Sequence, residues 1–163
     1  RCDVLAVAVR AGMTAQDLEE LELCYAPPFS SAKDPVNMAG YAIGNLLAGR
    51  VRQFHWHDIP NLPRDGSAIL LDVRTPREYE RSHIEGFRNI PLDQLRERLG
   101  ELEAGKMVYV NCQSGLRSYI ASRILTQNGF PNAHLAGGYR LYEAVMGEGE
   151  AEAAHACGLP LKR

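Results

Sequence analysis

The sequence has little of what several classes of protein need. It has only four cysteines among 163 residues and no C-x-x-C pair, so neither a disulfide scaffold nor a zinc site is indicated. Lys and Arg number 18 against 20 Asp and Glu, which leaves no basic excess for binding nucleic acid. No apolar run reaches the roughly 20 residues that span a bilayer, and no signal peptide is evident. We therefore expect a protein of the reducing cytoplasm, with no metal and no nucleic-acid or membrane partner.

Residues 1–50 show helical patterns and no strand pattern. The apolar-rich run 3–11 stops at Gly12, as helices often do. Thr14 is a typical N-cap with an acidic residue three positions later, and Asp34 followed by proline is a typical helix start. We therefore expect a helical segment over these fifty residues.

The pattern changes at residue 51 to strands that alternate with helices. Residues 51–56 alternate in polarity like an edge strand. Three short apolar runs are typical of strands buried on both faces: 68–73, 107–112 and 133–136. The helical patterns cover 76–81, 92–102, 116–128 and 139–146. This alternation predicts a three-layer α/β domain over residues 51–148 with a four- or five-stranded, mainly parallel sheet; residues 149–163 are expected to form a C-terminal tail.

Polar or glycine-rich segments follow each of the three predicted buried strands. Asp72 and Arg74 come at the end of the first, Cys112 at the end of the second, and Gly137 with Gly138 after the third. In open α/β sheets, ligands bind beyond the carboxyl ends of the strands. We therefore expect these three segments to meet at one site.

The segment after the second buried strand has the features of a reactive loop. It consists of Cys112, Gln113, Ser114, Gly115, Leu116 and Arg117, and a predicted helix follows it. Loop amides and the helix N-terminus would favour the thiolate of Cys112, which is the nucleophilic form. Gly115 permits a backbone conformation closed to other residues, and Arg117 offers a fork for an anion. A lone cysteine ending a buried strand is usually a small core residue, but the loop, the glycine and the arginine together favour a reactive role.

Four segments resemble the motifs of the rhodanese family, in the family's order and over about 70 residues. They are LDVRTPREY at 71–79, HIEGFRNIPL at 83–92, CQSGLR at 112–117 and LAGGY at 135–139. Two positions depart from the family's pattern: Ser82 stands where a glycine is usual, and Phe87 where an alanine is usual. The resemblance implies a rhodanese-like fold and a sulfurtransferase activity.

The resemblance also implies the chemistry and the roles of the residues. Cys112 would take a sulfane sulfur from thiosulfate, polysulfide or a persulfide, hold it as a persulfide, and pass it to a thiol or to cyanide. The rest of the loop would bind the donor and the transferred sulfur: Gln113, Ser114, Gly115, Leu116 and Arg117. Asp72 and Arg74 are expected to brace the loop. Arg117 would bind the donor anion or brace Asp72 by an ion pair. No metal is expected.

Two other functions remain open. Many rhodanese-like domains are catalytically silent interaction modules, although these commonly lack the cysteine that is present here as Cys112. Some rhodanese-like folds are Cys-dependent phosphatases, whose loop has five residues between the Cys and the Arg. Here only four residues separate Cys112 from Arg117, which favours a sulfur over a tetrahedral phosphate.

The first fifty residues resemble the C-terminal end of the dimerisation domain of coenzyme A disulfide reductases, which are FAD-dependent. The resemblance lies in DLEELEL at 17–23 and YAPPFSSAKDPVNMAGY at 25–41. Some members of that family carry a rhodanese domain directly after this segment. The resemblance implies that this chain is the C-terminal piece of a homodimeric flavoenzyme whose N-terminal flavoprotein domains are missing here.

In that family the tyrosine of the Y-A-P-P motif reaches the partner subunit's active site, and here it is Tyr25. FAD, NAD(P)H and coenzyme A are expected only in the full-length parent, because the G-x-G-x-x-G fingerprint of a nucleotide site is absent from this sequence. We expect no cofactor in this chain, and a small sulfur donor and a thiol acceptor as its partners. Cys157 is not expected to relay sulfur.

Overall fold

A computed structural model of the chain describes residues 1–24, 28 and 33–146. The chain divides into two compact units, residues 1–50 and residues 51–163. The expectations for Tyr25, Cys157 and the tail 149–163 lie outside the described residues.

The described residues of the first unit form three helices: α1 (Cys2–Arg10), α2 (Ala15–Glu20) and α3 (Pro35–Leu47). The predicted helix starts are confirmed. Thr14 and Asp17 form a reciprocal capping box at α2, and the Asp34 carboxylate accepts from the Val36 amide at 2.9 Å at α3. α3 packs closely on α2 because Gly40 has no side chain: a Cβ there would lie 2.8 Å from the carbonyl oxygen of Ala15.

The second unit is an α/β domain with a five-stranded sheet, as the sequence predicts. The strands are β1 (Gln53–Phe54), β2 (Ala68–Asp72), β3 (Arg88–Asn89), β4 (Met107–Asn111) and β5 (Asn132–Leu135). Their spatial order is β1-β5-β4-β2-β3, and all four neighbouring pairs are parallel. β4 and β2 therefore lie side by side in the sheet, which brings the segments after their carboxyl ends together.

Side chains from both faces of the sheet are buried. Ile69 and Leu71 of β2 belong to a cluster that includes Leu125, and the alternate residue Leu70 belongs to a second cluster with Tyr139. Within residues 51–146, three helices accompany the sheet: α4 (Pro76–Arg81), α5 (Leu116–Gln127) and α6 (138–146). Leu125 is in α5 and Tyr139 in α6, so the two clusters place these helices on opposite faces of the sheet, which gives three layers.

The predicted edge strand 51–56 is too long. Only Gln53–Phe54 pair with β5, and Trp56–Asn61 form a 3₁₀ turn. The Asp58 carboxylate accepts from the His55 amide at 2.8 Å, and this cap turns the chain out of the strand. The alternating polarity of residues 51–56 therefore comes from a two-residue strand followed by the start of this turn, and not from one continuous strand.

The predicted helix 92–102 is wrong. The segment contains two separate 3₁₀ turns, Leu92–Gln94 and Leu99–Glu101. Its four leucines, at 92, 95, 99 and 102, all pack in or against the first core cluster. The spacing of these leucines therefore reflects their burial in the core. Consecutive 3₁₀ turns can bury residues at this spacing as well as a helix can.

No helix within residues 1–24, 28 and 33–146 has both the length and the apolar character that crossing a membrane requires.

Burial of a histidine in β5 predicts that acid destabilises the fold. His134 is 5% exposed, and no hydrogen-bond partner among the described residues reaches its Nδ1. Desolvation lowers the pKa of His134 to about 4, whereas the unfolded chain has the usual value near 6.5. Between these values the unfolded state binds a proton that the folded state does not, so stability falls as the pH falls. We expect a loss of about 2 kcal/mol between pH 8 and pH 5 from this residue.

The measurement is urea unfolding of the parent and of His134→Leu across this pH range. Other titrating groups contribute to both proteins, so the difference between the two profiles isolates His134. Parallel profiles would contradict the assignment.

Candidate active site

The segments after three strands meet at one edge of the sheet. Asp72 lies opposite Asn111 in the pairing of β2 with β4, which sets Cys112 beside the segment that follows β2. The Tyr139 amide donates to the Cys112 carbonyl at 2.7 Å, and the Arg140 amide donates to the Gln113 carbonyl at 3.0 Å. The predicted segments after β2, β4 and β5 therefore lie together.

The thiol of Cys112 lies at the bottom of its loop, and the residue is 1% exposed. The Gly115 amide donates to Sγ at 3.1 Å. The thiol in turn lies 3.4 Å from the Ser118 hydroxyl oxygen, to which it donates, while that hydroxyl donates to the Gly115 carbonyl at 2.9 Å. Sγ is thus in contact with one fixed donor and with a hydroxyl that can rotate toward a charged sulfur.

Ser118 is a site residue that the sequence analysis missed. It lies in the first turn of α5, is buried, and touches the sulfur. A hydroxyl three residues beyond the loop glycine was the available signal, but serine is common at helix starts and the spacing alone does not distinguish a cap from a sulfur contact.

Gly115 allows the loop to turn into α5. Its φ of 110° and ψ of −31° are closed to residues with a Cβ. The helix begins at the next residue and runs for twelve residues, so its N-terminal amides and dipole are next to Cys112. Ser114 is exposed, and Leu116 is 62% exposed. The loop therefore has a polar floor and an apolar side chain at its rim.

Asp72 and Arg74 form a buried ion pair below the loop. Both are almost fully buried, at 0% and 1% exposure. The Arg74 guanidinium donates to the Asp72 carboxylate through Nη2 at 2.8 Å and through Nε at 3.0 Å and 3.1 Å. Asn111 Nδ2 also donates to the carboxylate at 3.1 Å. Burial of both charges is tolerated because each is paired and hydrogen-bonded.

The Arg74 side chain also joins three other segments. Nη1 donates to Gln113 Oε1 in the reactive loop at 3.2 Å, and Nη2 donates to the Ser82 carbonyl at 2.8 Å. The guanidinium lies 4.1 Å from the centre of the Tyr139 ring. Ser82 contributes only its backbone here, and its φ of −169° is extended, so a residue other than glycine is accommodated.

Arg117 forms its ion pair with Glu78 and not with Asp72. Nη1 donates to Oε2 at 2.7 Å and Nη2 donates to Oε1 at 2.6 Å, which is the bidentate geometry that guanidinium and carboxylate favour. The hydrogen bonds from Arg117 lower the pKa of Glu78 to about 2. The same bonds raise the pKa of Arg117, and the charges of Cys112 and Asp72 add to that rise.

Two glycines after β5 let the chain pass directly beneath the loop. Gly137 and Gly138 have φ values of +75° and +65°. A Cβ on Gly138 would lie 2.6 Å from the Cys112 carbonyl oxygen and 2.8 Å from the Ser114 amide nitrogen. Only glycine fits between this turn and the loop that holds the thiol.

Comparison with known proteins identifies the relatives of this chain. A family model described as "Rhodanese-like domain" matches residues 56–144. Thiosulfate sulfurtransferase PspE of Escherichia coli (strain K12) is 34% identical over 82 residues, which are 49% of this chain and 79% of PspE. The structure of reduced Bacillus anthracis CoADR-RHD matches with a TM-score of 0.84 and 47% identity, over 90% of this chain and 26% of that one. A NAD-dependent persulfide reductase from A. fulgidus matches with a TM-score of 0.72 and 39% identity, over 83% and 24%.

The two solved structures match 90% and 83% of this chain. Residues 51–163 alone are a smaller share of the chain than this, so both matches include part of residues 1–50. The predicted resemblances, to rhodaneses and to the end of a coenzyme A disulfide reductase, are confirmed. The matched segments span 59% and 36% of two Bacillus subtilis relatives and about a quarter of the two solved structures.

Proposed function

Because the chain belongs to the rhodanese-like domain family, we propose that it is a sulfurtransferase that carries a sulfane sulfur as a persulfide on Cys112. The observation that carries the proposal is the setting of the thiol. Sγ accepts from the Gly115 amide, touches the Ser118 hydroxyl, and lies at the N-terminus of α5. Such donors suit the negative charge that a thiolate, and then a terminal persulfide sulfur, brings to the loop.

The reaction has two steps. The Cys112 thiolate attacks the outer sulfur of thiosulfate, the bond between the two sulfur atoms breaks, and sulfite leaves with the electron pair. An acceptor such as cyanide or a thiolate then attacks the outer sulfur of the persulfide, and the Cys112 thiolate leaves. The product is thiocyanate or the acceptor's persulfide. No metal and no bound cofactor is needed in this chain.

The loop favours sulfur transfer over the two other functions. Four residues separate Cys112 from Arg117, and the Arg117 guanidinium is already bound to Glu78, so it is not held open for a phosphate ester. A catalytically silent interaction module would not need a thiol in contact with hydrogen-bonding groups, as Cys112 is with the Gly115 amide and the Ser118 hydroxyl.

We further propose that the chain works as the C-terminal module of a larger cytoplasmic flavoenzyme. In that homodimeric parent, FAD and NAD(P)H would be bound by the N-terminal flavoprotein domains, and coenzyme A would be an acceptor or donor of sulfur. Support comes from the matches that extend into residues 1–50. Tyr25 would act there in the partner subunit's active site. A short tether between modules raises the effective concentration of the sulfur carrier.

The experiment is intact mass spectrometry of the reduced 163-residue chain after exposure to thiosulfate or polysulfide. We expect the unsubstituted chain, but not Cys112→Ser, to gain one sulfur atom, about 32 Da. The chain should lose this sulfur when cyanide is added. Cys24→Ser is the matched control, because Cys24 is an exposed free cysteine whose loss should leave the gain intact. No gain with either donor would rule out the carrier role.

A second experiment uses the full-length flavoenzyme. There Cys112→Ser should slow polysulfide reduction, and an unchanged rate would show that the domain does not feed sulfur to the flavin site.

A further inference from the structure

The cation of the reactive loop is held by a carboxylate from another part of the chain. Arg117 lies at the start of α5 and Glu78 in the first turn of α4. Two guanidinium nitrogens face the two carboxylate oxygens at 2.6 Å and 2.7 Å. Both side chains are about one-third exposed, at 31% and 33%, so the pair is accessible to an incoming donor.

We propose that Glu78 is a specificity-determining residue, which withholds the charge of Arg117 from the donor and thereby disfavours dianionic donors such as thiosulfate. This inference rests on the proposed sulfurtransferase function. A donor with a single negative charge loses less from the neutralisation than a dianion does, because attraction scales with the donor's charge.

The arginine that donates to the loop side chain Gln113 does not replace this charge. Arg74 is buried and bound to Asp72 at 2.8 Å, so its charge is balanced as well. Backbone amides and the end of α5 remain to bind the transferred sulfur, and these donors do not distinguish a dianion from a monoanion as strongly as a fixed cation would.

Glu78 is itself firmly held. Its Oε2 accepts from the Thr75 amide at 2.9 Å and from the Thr75 hydroxyl at 2.7 Å, which completes the capping box of α4. Glutamine at this position keeps a capping box. Glu78→Gln is therefore expected to remove one negative charge beside Arg117 while the helix start survives.

The experiment compares two sulfur donors on the 163-residue chain. One is thiosulfate, a dianion. The other is the persulfide of 2-mercaptoethanol, which carries at most one negative charge; the Cys112 thiolate attacks its terminal sulfur and 2-mercaptoethanol thiolate leaves. The rate of persulfide formation on Cys112 is measured with each, and the quantity compared is the ratio of the thiosulfate rate to the organic persulfide rate.

We expect Glu78→Gln to raise this ratio roughly tenfold, since a charged hydrogen bond becomes available to the dianion. The rate of persulfide formation from thiosulfate should also fall more steeply with salt concentration in Glu78→Gln than in the unsubstituted chain. Arg117→Gln should lower the ratio, because Glu78 is then left uncompensated. The double variant should return to the parent's ratio. A pair that merely braces the loop would change both rates by the same factor in every variant and leave the salt dependence alone.

The possible failures are distinguishable. If the parent forms a persulfide on Cys112 but Glu78→Gln leaves the ratio unchanged or lowers it, the role of Glu78 is overturned and the sulfurtransferase function stands. If the parent takes sulfur from neither donor, both are overturned. Should Glu78→Gln fold poorly, the Arg117→Gln ratio decides alone, because a ratio equal to the parent's would overturn the proposal.

Discussion

Gly138→Ala should slow persulfide formation on Cys112 by about 100-fold, the order expected when a reacting group is displaced by about 1 Å. The added Cβ would lie 2.6 Å from the carbonyl oxygen of Cys112 itself and 2.8 Å from the Ser114 amide nitrogen. These are backbone atoms and cannot rotate away, so the backbone must shift locally at Cys112 and Ser114. The movement would carry Sγ away from the Gly115 amide, which now donates to it at 3.1 Å.

Gly129→Ala is the matched control, because it shares the backbone conformation without the clash. Gly129 has a φ of +79°, and a Cβ there would meet nothing within 4 Å. Both variants should lose about 1 kcal/mol or more of stability from the positive φ, but only Gly138→Ala should lose the rate. The measurement is the time course of the sulfur adduct by mass spectrometry, with urea unfolding of each variant. Equal rates for the two variants would show that the loop does not depend on this close approach.

Local signals in the sequence sufficed for four of the five strands and for the position of the thiol. Two of the five strands, β2 and β4, are apolar up to their last residue, and Cys112 follows β4 directly. Such runs carry their own secondary-structure signal, and parallel strands necessarily bring their carboxyl ends to one edge. β3 was missed because it has only two residues, Arg88 and Asn89, which is too short for any periodicity to show.

The partner of Arg117 could not be read from local patterns. Glu78 is 39 positions away in the sequence, and the contact exists because β4 lies next to β2 in the sheet order. The resemblance to rhodaneses offered two partners, the donor anion and Asp72, which is the last residue of β2. That carboxylate is instead occupied by Arg74, two residues beyond it. Which acid pairs with which base was decided by burial and by the path of the chain after β2, and neither is visible in a motif.

The same buried pair supports a prediction for stability. Arg74→Met is expected to cost about 3–5 kcal/mol in the free energy of unfolding, because it leaves the Asp72 charge buried without its counter-ion. Asp72 is fully buried, and among the described residues Asn111 Nδ2 and the backbone amide of residue 74 would remain to donate to it. Urea unfolding at neutral pH measures the loss. Arg77→Met is the control at an exposed position and should stay within about 0.5 kcal/mol of the parent.

A double variant separates charge burial from lost packing. Asp72→Asn in the Arg74→Met background removes the buried charge while the amide oxygen still accepts from the backbone. If the uncompensated charge causes the loss, the double variant should be more stable than Arg74→Met alone, and the cycle should show a strong coupling between the two sites. A double variant less stable than both single variants, or a cost for Arg74→Met no greater than that for Arg77→Met, would contradict this account. Because Arg74 also donates to Gln113, the folded fraction of Arg74→Met should in addition form the Cys112 persulfide more slowly than the parent.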